Sequence, residues 1–119
     1  MERDWDLIRR ILLLLEALPD TAGRLAADQV DGYDSDIVSY HLQILGQAGL
    51  VEVRCTKDMS GSIRCFAISM TWAGHEFLDG IKSQTAWNSV RTVVREKGAA
   101  LSFEVIKAAG GHLVSQMFK

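Results

Sequence analysis

Residues 40–53 read YHLQILGQAGLVEV. His41, Ile44, Leu45 and Ala48 recur at helical spacing, and Val51 and Val53 alternate with Glu52 as in a strand. Gly49 falls between the two patterns, where a left-handed residue closes a helix. The stretch therefore predicts a helix that ends at Ala48 and a strand that starts almost at once. It contains no lysine or arginine. Upstream, Asp34-Ser35-Asp36 resembles a helix start, with either Asp34 or Ser35 able to cap free N–H groups. Across this helix Ile37, His41, Ile44 and Ala48 line one side, with Val38 and Leu45 beside them. Ser35, Asp36, Ser39, Tyr40, Gln43 and Gln47 take the other side.

Downstream, VEVRCTK (51–57) and IRCFAISM (63–70) both read as strands, and the DMSGS segment between them, with Gly61, supplies turn residues. A loop centred on Ser60 places Cys55 opposite Cys65 and Val53 opposite Ala67. Phe66, Ile68 and Met70 then share the other face with Glu52, Arg54 and Arg64. Both faces of the hairpin are partly apolar, so something must cover the second. The cysteine pair could be bridged, hold a metal or stay as thiols. With no second Cys or His pair at zinc spacing, and thiols normally reduced in the cytosol, reduced and partly buried thiols are expected.

The N-terminal segment from Asp4 to Leu18 is a strong helix. Its apolar positions Trp5, Leu7, Ile8, Ile11, Leu12, Leu14, Leu15 and Leu18 cover about half the circumference. Leu13 falls outside that arc, either as a stray leucine on a core helix or as part of a surface that meets a second chain. Pro19-Asp20 ends the helix. Residues 20–33 are hard to read and suggest a short helix or turn, then an extended piece near Gln29–Val30. After the hairpin, Thr71 opens a helix through Phe77, Leu78 and Ile81. A second begins near Thr85 with Trp87, Val90 and Val94 and ends at Gly98. Leu101-Ser102 opens a third, with Ser102 as cap and Leu101 against Ile106, carrying Phe103, Ile106, Leu113 and Met117 across Gly110-Gly111.

The chain has 119 residues, 48% hydrophobic and 24% charged. That is enough for one core and too little for two. A single domain over 1–119 is expected, with helix, second helix and hairpin in 1–70 and a helical extension in 71–119. The longest apolar run, ILLLL at 11–15, is far short of the roughly 20 residues that span a bilayer, so no membrane role is expected. The charged start MERDWD is unlike a signal peptide, and a cytoplasmic protein is expected. Charge is polarised: residues 1–53 carry four basic and ten acidic groups, a balance of −6, whereas residues 54–119 carry nine and five, a balance of +4. A polyanion would favour the later half.

Catalytic motifs are lacking. There is no nucleophile elbow and no phosphate-cradling glycine loop. His75-Glu76 begins like a zinc-protease motif, but Asp79 stands where the second histidine is needed. His41 reads as a satisfied packing residue, and His112 has no evident partner. No enzyme activity, metal or cofactor is expected.

The order helix, second helix, hairpin, helix is that of a winged helix-turn-helix, an α+β and mostly α fold with a two-stranded wing and here extra C-terminal helices. HLQILGQAGLVEV resembles the helix-glycine-strand signature of bacterial winged-helix regulators. RDWDLIRRILL, GYDSDIVSYHLQILGQAGLVEV, MTWAGHEFLDGIKSQTAWNSVR and KGAALSFEVIK together resemble an uncharacterised bacterial and prophage family, a domain of unknown function, over nearly the whole chain. That resemblance implies a winged-helix-like fold and association with mobile elements, and carries no biochemical activity. On this scaffold Ser39, Gln43 and Gln47 could read bases and Tyr40 a phosphate or base methyl, with phosphate contacts from Arg54, Lys57 and Arg64 and from Arg91, Arg95 and Lys97. The expected function is a winged-helix regulator of transcription that binds double-stranded DNA. The alternative is a protein-binding module, antitoxin-like or directed at a host or phage protein, that uses Asp34, Asp36, Tyr40 and Gln43. A homodimer fits the wide first helix and the two-sided hairpin.

Overall fold

The computed structural model describes residues 1–96 and 106–108. They divide into two units, Met1–His75 and Glu76–Lys119. The described fold is α+β and mostly helical, with a three-stranded antiparallel sheet.

Helix α1 spans Trp5–Glu16, and the Asp4 carboxylate caps it by accepting from the backbone N–H groups of Asp6 and Leu7. Leu7, Ile8, Ile11, Leu12 and Leu15 are buried, and Leu13 is half-buried. Residues 20–33 reverse the expected order. Extended backbone comes first, as strand β1 at Leu25–Ala26, and a 3-10 turn at Ala27–Gln29 follows it. The reason is tertiary: Leu25 and Ala26 pair with Ala67 and Phe66 of the hairpin, a partner that local sequence does not reveal.

Helix α2 spans Ser35–Gln47, and Asp34 rather than Ser35 is its cap. Its C-terminus is a Schellman closure: Gly49 has φ +77°, and the N–H groups of Gly49 and Leu50 donate to the carbonyls of Gly46 and Leu45. The buried stripe is Val38, Ser39, His41, Leu42 and Leu45, rotated from the expected one. Ile37 and Ala48 are exposed and Ile44 is only half-buried. The rotation follows from two polar fasteners that hold the inner side. The His41 Nδ1–H donates to the Ile37 carbonyl, and its Nε2 accepts from the Asp4 backbone N–H at 2.8 Å. Ser39 Oγ accepts from the Cys65 N–H at 3.3 Å. His41 is thus a satisfied core residue that ties α1 to α2.

Strands β2 (Val51–Lys57) and β3 (Ile63–Met70) form the hairpin, in the order β1-β3-β2. Cys55 faces Cys65 and Val53 faces Ala67, as the loop centre implies. Between Glu52 and Val53 the register slips, which leaves Ile68 as an extra residue on β3. Met70 therefore pairs with buried Val51 instead of joining Phe66, and Ser69 takes the outer place, donating to Glu52. Helix α2 lies against the inner face, where a β-carbon at Gly46 would strike the Val53 side chain.

The expectation of free thiols needs correction: Cys55 and Cys65 are joined as a disulfide. Their α-carbons are 4.1 Å apart, and the Cys65 N–H points to Ser39 rather than across the hairpin. They therefore occupy a non-hydrogen-bonded position, where facing side chains lie closest. A reducing compartment and the lack of zinc-ligand spacing say nothing about this geometry. Alkylation of denatured, unreduced protein is expected to leave both cysteines unlabelled, with a mass two hydrogens short of the reduced chain. With a sequence separation of 10, reduction should lower unfolding free energy by about 2–3 kcal/mol. Full labelling without reductant would contradict the bridge.

Helix α3 (Trp72–Asp79) begins against the α2–β2 turn. Thr71 Oγ1 accepts from the Gly74 N–H and donates to the Gly49 carbonyl, and the Thr71 N–H donates to the Leu50 carbonyl. In the second unit α4 spans Gln84–Glu96, capped by Ser83, with Trp87 and Val90 buried. Ile81, which the sequence placed on α3, lies beyond it and is buried. Residues 106–108 are helical and Ile106 is buried. The side chains of Val94 and Arg95, and Lys97, Gly98, Leu101, Ser102, Phe103, Gly110, Gly111, His112, Leu113 and Met117, lie outside the described residues.

Candidate nucleic-acid interface

Because α2 buries Val38, His41, Leu42 and Leu45, the stripe Asp36, Tyr40, Gln43 and Gln47 faces away from the core. These positions are 4, 3 and 4 residues apart, which is one helical row. Asp36 and Gln47 are exposed, and Tyr40 and Gln43 are half-buried. The row does not end in open solvent. Asp36, Tyr40 and Gln43 line a 300 Å³ concavity together with Gly61, Ser62 and Ile63 at the hairpin tip and with Met1. The tip and the outward row of α2 are therefore one continuous surface.

The tip is held by Asp58. Its carboxylate accepts from the Ser60 hydroxyl and from the backbone N–H groups of Ser60 and Ser62. The Ser60 hydroxyl above all, with the two backbone donors and Arg64, keeps the carboxyl below the usual carboxylate range, against the opposing effect of desolvation. Gly61, at φ +88°, supplies the left-handed residue that the turn requires. Lys57 closes the last strand pair before the loop, opposite Ile63. Arg64 has its side chain 81% exposed, 3.7 Å from Asp58.

The structure divides the residues proposed from sequence. Tyr40 and Gln43 join the tip; Gln47 continues the row into a separate 520 Å³ concavity beside Gly46, Val51, Val53 and Thr71. Lys57 and Arg64 flank the tip. Arg54 stands apart, opposite Phe66 on the outer sheet face and farther from the loop. Ser39 leaves the outward set altogether: it is 4% exposed, and its hydroxyl serves the Cys65 N–H. Of the acidic pair, Asp34 is occupied as the α2 cap, while Asp36 lies on the row. Arg91 belongs to the second unit, with its guanidinium 5.9 Å from the Trp87 ring.

Arg24 was missed. The pairing of Ala26 with Phe66 brings β1 alongside Phe66, and the Arg24 guanidinium lies 5.8 Å from that ring. Arg24, Arg54, Arg64 and Phe66 thus share the outer sheet face, which makes the covering of that face partly cationic. Only recognition of β1 could have revealed this. Among the described residues no His, Cys, Asp or Glu group is arranged to hold a metal ion, and no helix is long and apolar enough to cross a membrane.

The family model described as "Hypothetical protein (DUF2513)" matches residues 2–100. The chain belongs to this family. An uncharacterised protein of Haemophilus influenzae is 42% identical to it over 117 residues, covering 98% of each chain. That relative aligns with both units of this DUF2513 protein. No solved structure matches the chain.

Proposed function

We propose that this DUF2513 protein is a non-enzymatic, winged-helix-like regulator that binds double-stranded DNA, with α2 as the reading helix and the β2–β3 hairpin as the wing. The element order α1, β1, 3-10 turn, α2, β2, β3 and the strand order β1-β3-β2 support the scaffold. The observation that carries the reading is the shared surface of the α2 row and the hairpin tip. A helix row that ends on a projecting hairpin can place side chains on base edges while the hairpin meets the backbone. Gln43 and Gln47 have the amide chemistry to pair with adenine, and Tyr40 can contact a phosphate or a thymine methyl.

With no cation on α2, the phosphate contacts fall to Lys57 and Arg64 at the tip. Gln43→Ala and Gln47→Ala are expected to change which duplexes are preferred, at roughly 1–3 kcal/mol per base contact, while leaving the salt dependence alone. A selection of bound sequences from a random duplex pool, compared between wild type and each variant, measures this. Identical preferences in all three would remove α2 from the reading role.

A second reading is favoured by Asp36, a carboxylate on the same row, which would repel phosphate and attract a basic protein surface. In that reading a bacterial or phage protein occupies the α2 row, and Asp36, Tyr40 and Gln43 bind it, with Asp34 positioning the helix. A cytoplasmic location and a prophage setting suit either reading.

A further inference from the structure

Among the described residues the strand order leaves one long side of β2 unpaired along seven residues, Val51–Lys57, with no proline. Such an edge is a template for another strand. Which backbone groups point outward follows from the Cys55–Cys65 position. That pair exchanges no hydrogen bonds across the hairpin, so the N–H and C=O of Cys55 face the free edge, and by alternation so do those of Val53 and Val51.

We propose that two copies of this chain pair through the free edges of their β2 strands, antiparallel and centred on Val53. In this register Val53 faces Val53 of the other copy as a hydrogen-bonded pair, and Val51 faces Cys55 on each side in the same way. The two residues between them then become close, non-hydrogen-bonded pairs. Glu52 of one copy lies opposite Arg54 of the other, twice by symmetry, on the outer face. The sequence Glu52-Val53-Arg54 is therefore complementary to itself in charge only when the strands run antiparallel about Val53. A centre one residue away would keep the outward backbone groups matched but face Glu52 with Glu52 or Arg54 with Arg54, and a centre between two residues would turn the outward groups of one strand towards the inward groups of the other.

Two further observations fit this occupant. Glu52 and Arg54 are both exposed, and neither has a carboxylate–cation partner among the described residues. The inner side of the same edge opens into the 520 Å³ concavity lined by Val51, Val53, Gly46 and Gln47, where the half-exposed Val53 has room for its counterpart. The proposal is independent of the duplex reading, because the pairing needs no nucleic acid.

The test is sedimentation of the full chain across concentrations, without nucleic acid, for wild type, Glu52→Arg, Arg54→Glu and the double variant. Wild type is expected at twice the 13.2 kDa chain mass. Each single variant sets like charges opposite each other twice and should weaken dimerisation by about tenfold or more. The double variant restores opposite charges in the same register and should recover wild-type association. A wild type that stays monomeric overturns the proposal. So does a dimer insensitive to the single changes, or one that the double variant fails to restore. Circular dichroism of all four checks that these exposed substitutions leave the fold intact.

Discussion

Gly74→Ala is expected to cost about 2–3 kcal/mol of stability, as overpacking against a part that cannot move away. A β-carbon at Gly74 would run into the Leu50 carbonyl and the Met70 side chain. Leu50 cannot retreat, because its N–H donates to Leu45, its carbonyl accepts from Thr71, and Gly49 before it is held at φ +77°. Gly49, Leu50 and Thr71 set where α2 ends, where β2 begins and where α3 starts. Urea denaturation followed by circular dichroism measures the loss. Gly23→Ala is the control, since its β-carbon would meet Leu18 at an ordinary 3.4 Å. It should stay within about 0.5 kcal/mol of wild type. Equal midpoints for the two variants would contradict the packing described at Gly74.

The second large effect concerns binding. The double change Lys57→Ala and Arg64→Ala removes the two cations beside the hairpin tip and leaves the α2 row untouched. Each lost phosphate contact should lower the log–log salt slope by about 0.9, so the pair lowers it by about 1.8. At ~0.1 M salt this corresponds to an affinity loss of about a hundredfold. Both side chains are exposed, so the fold should survive. Fluorescence anisotropy with a labelled duplex measures slope and affinity together. An unchanged slope would show that phosphate is contacted elsewhere, with Arg24 and Arg54 on the outer sheet face as the next cations to test.

The helix-glycine-strand junction was legible because local chemistry fixes it. Asp34 supplies a cap acceptor, Gly49 is free to adopt positive φ, and the period changes from helical to alternating within a few residues. The hairpin register was legible for a similar reason, since a turn centred on Ser60 leaves one pairing for Cys55 and Cys65. What could not be read depended on distant partners. Strand β1 exists because Ala67 and Phe66 offer it an edge. The rotation of α2 exists because Asp4 and Cys65, 37 and 26 residues away, have backbone N–H groups for His41 and Ser39 to accept. That rotation also decided the candidate site. Sequence spacing placed Ser39 with Tyr40 and Gln43, and the hydrogen bond to Cys65 drew it inward. Arg54 and Arg64 look equivalent in the sequence, yet strand position sets one near the tip and the other farther back. The slip at Ile68, which moved Met70 to the inner face, has no signature in the alternation of β3.

Duplex binding by the α2 row together with the hairpin tip can be checked by titrating the wild-type chain with a labelled random-sequence duplex at about 50 and about 200 mM salt. With at least two phosphate contacts, from Lys57 and Arg64, the affinity should fall about tenfold or more between the two conditions. No measurable binding at the lower salt, or an affinity that does not change with salt, would contradict it.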